Sequence, residues 1–178
     1  MEVAPRHLDT AELELHLPEL ESSPRDTGRL TAIVVRPAEG ERINLSTAEL
    51  SPDRGIEGDR WVDENESRQS QVSLMNSRIL SLIAGAEEAV CLAGDNLIVD
   101  FDLSEKHLPA GSQLTVGDVV LEISDQPHTG CSKFEKRYGR PAREFVNNAD
   151  GKRLHLRGRY GWVVRGGTIA IGDSVSKV

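Results

Sequence analysis

The residue best placed to do chemistry is Cys131, within Pro127-His128-Thr129-Gly130-Cys131-Ser132-Lys133-Phe134. This stretch follows an expected strand over 119–124 and precedes an expected helix over 132–138, with a second helix starting near Pro141, a residue suited to a first helical turn. A thiol at a strand-to-helix turn meets free backbone N–H groups and the positive end of the helix dipole, and His128, Lys133 and Lys136 can add positive charge. Lowering a thiol pKa from about 8.5 to about 7 takes about 2 kcal/mol, within reach of such neighbours. The competing reading is a small buried hydrophobe. Cys91, between Val90 and Leu92, reads as core filler. Neither cysteine has a companion Cys or His at metal-ligand spacing, so both are expected as free thiols.

Other candidates would bind rather than react. Gly58-Asp59-Arg60-Trp61 could turn Arg60 toward an anion, or form a loop ion pair. Gly94-Asp95-Asn96-Leu97 could present an amide and a carboxylate at a strand entrance, although Asp and Asn are also ordinary turn residues there. In Arg157-Gly158-Arg159 two planar forks could hold a phosphate or carboxylate, or form an exposed basic turn. His7, His16, His107 and His155 show no partner pattern. Charge points the same way. The chain carries a formal charge of -8, yet residues 126–165 contain ten basic and three acidic side chains. A cationic stretch in an acidic protein favours a local anion site over a broad nucleic-acid track, with solvated helix charges as the alternative.

The elements that must position these residues are mostly short strands. At 178 residues, 38% hydrophobic and 28% charged, the chain fits one globular domain that needs no disulfides. Its apolar runs are far shorter than the roughly 20 residues that span a bilayer. The first residues show neither a cationic start nor an apolar h-region, so a cytoplasmic location is expected. Strands are expected over 29–36, 42–45, 72–75, 96–101, 113–116, 119–124, 160–165, 168–171 and 174–178. Asn76 should cap a helix that Gly85 ends, with Ile79, Leu82 and Ile83 buried. Gly117-Asp118 and Gly172-Asp173 read as paired tight turns. Residues 1–28 read as a helical arm, capped by Asp9 or Thr10 and halted by Pro18, plus a polar linker, peripheral to and dispensable for a domain over 29–178. The expected fold is mainly β with helical insertions: a compact, largely antiparallel β-barrel. No Rossmann or P-loop glycine motif is present.

Taken in order, Gly58-Asp59-Arg60, Gly94-Asp95-Asn96-Leu97, Leu108-Pro109-Ala110-Gly111-Ser112 with Val116-Gly117-Asp118, Pro127-His128-Thr129-Gly130-Cys131, Arg157-Gly158 and Gly172-Asp173 resemble the MOSC domain family, the molybdenum-cofactor sulfurase C-terminal domains. The resemblance covers roughly 29–178 and is strongest to small stand-alone bacterial members. It implies a distorted β-barrel whose cysteine, matching Cys131, serves as a molybdenum ligand or as a sulfur carrier. On this basis Cys131 and His128 are the expected catalytic residues, Cys131 the metal ligand, and Arg60, Asn96, Lys133, Arg157 and Arg159 the cofactor-binding set. Related proteins holding molybdenum cofactor reduce N-hydroxylated compounds with electrons from separate redox proteins. Pro-His-Thr-Gly-Cys differs from the Pro-Arg-x-Pro-Cys of one such reductase group, and the chain has no flavin, nicotinamide or iron–sulfur motif of its own. The leading expectation is therefore a molybdenum-cofactor protein acting on a small molecule with an external electron donor. One alternative is a persulfide carrier on Cys131 supplied by a separate cysteine desulfurase, and another is a non-catalytic module that binds an anion or a protein. Neither nucleic acid nor membrane is an expected partner.

Overall fold

The computed structural model describes residues 7–64, 67–85 and 87–178. The described residues form eleven strands: β1 (Gly28–Val35), β2 (Ile43–Leu45), β3 (Thr47–Ser51), β4 (Gly55–Ile56), β5 (Val72–Asn76), β6 (Leu97–Asp100), β7 (Gln113–Val116), β8 (Val119–Ile123), β9 (Arg159–Arg165), β10 (Gly167–Ala170) and β11 (Ser174–Lys177). The helices are α1 (Thr10–Glu14), α2 (Leu17–Glu21), α3 (Ser77–Ala84), α4 (Ser132–Tyr138), α5 (Arg140–Asn147) and α6 (Ala149–Arg153).

The strands run β11-β7-β8-β9-β5-β6-β1, and β1 pairs back onto β11, so the sheet closes into a seven-stranded barrel with β2 flanking β1. Closure removes the open edges that would otherwise invite strand addition. Every pairing in the barrel is antiparallel except β5 with β6. That parallel pair makes the barrel mixed, and it follows from the chain between the two strands. A parallel return needs a long crossover, here supplied by α3 and a 3-10 segment over Glu87–Ala93. A second sheet, β10-β3-β4, lies outside the barrel order.

Alternation along the strands divides the apolar residues between two cores. Leu74 of β5 and Leu97 and Val99 of β6 join the cluster that includes Leu30, Leu114, Leu121 and Val163. Met75 and Ile98 point the other way, into a cluster with Ile79, Phe134, Tyr138, Phe145 and Leu156. With both faces covered, β5 is buried along its whole length. Helix α3 has the expected caps: the Asn76 side chain accepts from the Arg78 amide, and Gly85 at φ +67° ends it; its buried face is Ile79, Leu80 and Ile83, with Leu82, expected there, only half-buried.

The arm contributes to the second core rather than lying beside it. Asp9 and Glu12 form a reciprocal capping box on α1, and Pro18 sits in the first turn of α2, so it opens a second helix where it was expected only to halt the first. Leu13 is wholly buried and Leu20 nearly so, both in the cluster that holds Phe134 and Phe145. The two Gly-Asp turns meet each other. A Cβ on Gly117 would come within 2.5 Å of Asp173 Oδ2, a side-chain end that could shift, so it is the φ of +54° that favours glycine there.

Candidate functional site

Two buried carboxylates organise the site, and each follows a glycine. Asp59, 3% exposed, accepts from the Arg36 backbone N–H at 3.0 Å and from the Arg36 guanidinium at 3.1 Å on each oxygen. The Trp61 amide and Asn96 Nδ2 also donate to it, at 3.1 and 2.9 Å. Burial alone would raise the Asp59 carboxyl, but the Arg36 bonds outweigh it and hold the pKa below the ordinary carboxylate value. Arg36, at the end of β1, is thereby locked as a fork rather than left as a mobile charge.

The second carboxylate, Asp95, is 1% exposed and accepts from Arg157 Nη1 at 2.7 Å through Oδ2. Arg157 is itself buried, with its guanidinium 5.0 Å from the Phe134 ring centroid and 4.0 Å from the Met75 sulfur. The other oxygen of Asp95 has no hydrogen-bond partner, nor does Arg157 Nε or His128 Nδ1, though all three atoms are buried. His128 stacks on Tyr160 with ring centroids 4.1 Å apart, and its Nδ1 stands 3.7 Å from Asp95 Oδ1. Burial, followed by the Arg157 and Arg36 charges, drives the His128 pKa well below its ordinary value, so the imidazole is neutral at pH 7. Burial pushes the Asp95 carboxyl up, against the opposing pull of Arg157.

These groups line a cavity of about 270 Å³ that also takes in Ser73, Gly94 and Cys131. Cys131 is solvent-exposed and occupies the residue before the first turn of α4. Its partial burial raises the thiol pKa, but the amides of Phe134 and Lys133 and the charge of Arg157 outweigh that and bring it below the ordinary thiol value. A smaller chamber of about 170 Å³, lined by Arg60, Trp61, Glu64 and Ser70, adjoins it through the shared Arg36 and Tyr160.

The cofactor-binding residues expected from the sequence separate into different roles. Arg157 enters the Cys131 cavity. Arg60 reaches only the adjoining chamber, where it pairs with Glu64 at 3.2 Å. Lys133 lies beside Cys131 in the chain but points outward to exposed Glu39 at 3.4 Å. Asn96 is buried scaffold: its Oδ1 accepts from the Ser73 amide and hydroxyl, and its Nδ2 donates to Val34 O and Asp59. Arg159 donates to the carbonyls of Leu103 and Leu108, bracing the loop after β6, and lines neither chamber. The four cations thus do not converge as one ring around Cys131. Arg36 and Tyr160 are the members that sequence reasoning missed. The available signal was the repeated Gly-Asp, since each buried Asp requires a distant arginine partner. Cys91 lies apart, half-buried in the wall of a separate cavity of about 410 Å³.

A closed mixed barrel with a cysteine at the mouth of an arginine-lined cavity defines a class, and comparison with known proteins gives the class its name. The sequence profile of the MOSC domain matches residues 69–176, more than half of the chain, and the protein belongs to that family. Its fold is similar to that of YuaD from Bacillus subtilis at 17% identity and a TM-score of 0.60, covering 85% of this chain and 96% of that one. YiiM from Escherichia coli aligns at 20% identity and a TM-score of 0.55, covering 84% and 69%. YiiM from Geobacillus stearothermophilus aligns at 17% and 0.56, covering 85% and 75%. No curated protein matches the sequence. Among the described residues no helix is long and apolar enough to cross a membrane.

Proposed function

We propose that this protein binds molybdenum cofactor at the Cys131 cavity and uses it to reduce N-hydroxylated small molecules. The observation that carries the reading is the trio of buried, unpartnered polar atoms, Asp95 Oδ1, His128 Nδ1 and Arg157 Nε, all on residues that line the cavity Cys131 opens onto. Unsatisfied buried polar atoms are costly, and a polar ligand is what would complete them. Among the described residues there is no cluster of three or more metal-ligating side chains. A metal taken by Cys131 must therefore arrive with other ligands already attached, as a pterin-bound metal does.

The residues present fit that group. Cys131 offers a soft thiolate to the metal. Arg157 and Arg36 offer fixed guanidinium groups to the anionic part of the cofactor. When bound, the cofactor would supply the oxygen-accepting redox chemistry. The overall reaction, R–NHOH + 2 e⁻ + 2 H⁺ → R–NH₂ + H₂O, breaks the N–O bond, with electrons delivered by a separate redox protein. The protons fall to this chain. His128, neutral at its ring, and Asp95, the buried partner of Arg157, stand 3.7 Å apart in the cavity wall and form the proton-handling pair. Such a reaction suits a reducing cytoplasm, where both thiols stay reduced.

A second reading draws support from the exposure of Cys131. An accessible thiol of lowered pKa can attack a sulfur donor and carry a persulfide delivered by a cysteine desulfurase. An anaerobic assay with reduced methyl viologen and an aryl hydroxylamine separates the two. Molybdenum-loaded protein is expected to oxidise two viologens per amine formed. Rates no higher than those of a Cys131→Ser variant would overturn the reductase reading.

A further inference from the structure

Gly130, the residue before Cys131, is gripped from the opposite side by one carboxamide. Its amide donates to Asn147 Oδ1 at 2.8 Å, and its carbonyl accepts from Asn147 Nδ2 at 2.9 Å. Arg143 Nε adds a weaker donor to the same carbonyl at 3.4 Å, while its Nη1 is tied to Glu135 of α4 at 2.8 Å. Gly130 lies so flat on α5 that a Cβ would come within 3.0 Å of Val146 Cγ2 and 3.3 Å of Asn147 Nδ2. Position 130 is buried, whereas Cys131 is exposed.

The peptide plane carries this grip to the sulfur. Gly130 C=O and Cys131 N–H belong to one rigid trans unit and point in opposite directions, so fixing the carbonyl fixes the amide and the start of the Cys131 side chain. We propose that Asn147 is a positioning residue of the Cys131 site: its double hydrogen bond to Gly130 sets the 130–131 peptide plane and so fixes the direction in which the Cys131 side chain leaves the backbone at the cavity. The inference builds on Cys131 as the working atom, but it holds whether that sulfur binds a metal or carries sulfur. Asn147 lines neither the Cys131 cavity nor the adjoining chamber; it lies with Arg143 and Glu135 in the wall of a separate cavity of about 560 Å³.

The test is ¹⁵N relaxation by NMR on full-length protein stripped of bound metal, read at the backbone amides of Cys131 and of Ile98 in β6. Asn147→Ala and Asn147→Leu each remove both bonds to Gly130, and neither adds a charge. In both variants the ¹⁵N–¹H heteronuclear NOE of Cys131 should fall to the level of a loose loop amide, while that of Ile98 stays at its wild-type value. Ile98 thereby reports on the fold within the same sample. An unchanged Cys131 value in a variant with wild-type Ile98 order would overturn the proposal. So would parallel losses at both amides, which would show general loosening. The measurement does not depend on enzyme activity, so the reductase reading can fail while Asn147 keeps its role.

Discussion

Asp95 and Arg157 form a buried ion pair in the wall of the Cys131 cavity, with Nη1 to Oδ2 at 2.7 Å and side chains only 1% and 9% exposed. The pair joins residues from the Gly-Asp turn before β6 and from the approach to β9. It leaves Asp95 Oδ1 and Arg157 Nε buried without a hydrogen-bond partner. It therefore serves both the fold and the site.

Replacing Asp95 with Asn leaves Arg157 buried without its counter-charge, an error that typically costs about 3–5 kcal/mol. Urea melts of Asp95→Asn should show that loss. Pairing Asp95→Leu with Arg157→Met should recover most of it, because the double variant removes both charges together. If the double variant is as unstable as the sum of the Asp95→Leu and Arg157→Met singles, the two residues do not act as a unit.

His128 predicts an acid limb of stability. Burial and the two arginines lower its pKa in the fold, so below its ordinary value of about 6.5 the unfolded chain binds the proton more readily. Stability then falls as pH drops from about 6.5 toward the folded pKa. Asp95, whose folded pKa is raised, works in the opposite direction, so the comparison with His128→Gln rather than the wild-type curve isolates the histidine. The variant should show a flatter curve between about pH 6.5 and 5. Equal slopes would show that folding does not lower the His128 pKa.

Arg36 and Arg159 are both buried or nearly so, but only Arg36 lines the cavity. Gln at either position should lower the melting temperature. Cofactor retention per folded molecule should fall about tenfold or more for Arg36→Gln alone, the weight of one charge-assisted contact. Equal retention losses would show that Arg36 acts only through the fold.

Leu13 carries the arm's contribution to the second core. Leu13→Ala should cost about 2–5 kcal/mol, the range for opening a fully buried leucine site. Removal of residues 1–26 should lower the melting temperature by at least as much. An unchanged transition in the truncated protein would make the arm peripheral after all.

Local chemistry explains which parts of this architecture were legible in the sequence. Asn76 and Gly85 bracket α3 through bonds to their own neighbours, the Gly-Asp turns depend on one residue's φ, and α4 begins just after Cys131 as expected. The parallel β5–β6 pair was hidden because a strand buried on both faces reads the same in either direction. The short β3 and β4 were hidden because Thr47–Ser51 is too polar to stand out as a strand. In the site, Cys131 and His128 share one loop and could be read together. Arg36 and Asp59 are 23 positions apart, and only closure of the barrel shows that the first is held for the cavity by the second. Arg159 resembled Arg157 in sequence. Two residues along a strand the side chains share a face, but the chain turns between them at Gly158, φ +118°, and sends Arg159 elsewhere.

Molybdenum content tests the central claim most directly. Wild-type protein and a Cys131→Ser variant, made in cells that synthesise molybdenum cofactor and purified without reductants, would be compared by elemental analysis and by mass spectrometry of residue 131. The reading predicts molybdenum bound to the wild type and lost from a variant that melts at the same temperature. Equal molybdenum in both proteins, or a persulfide on Cys131 with no metal in either, would contradict it.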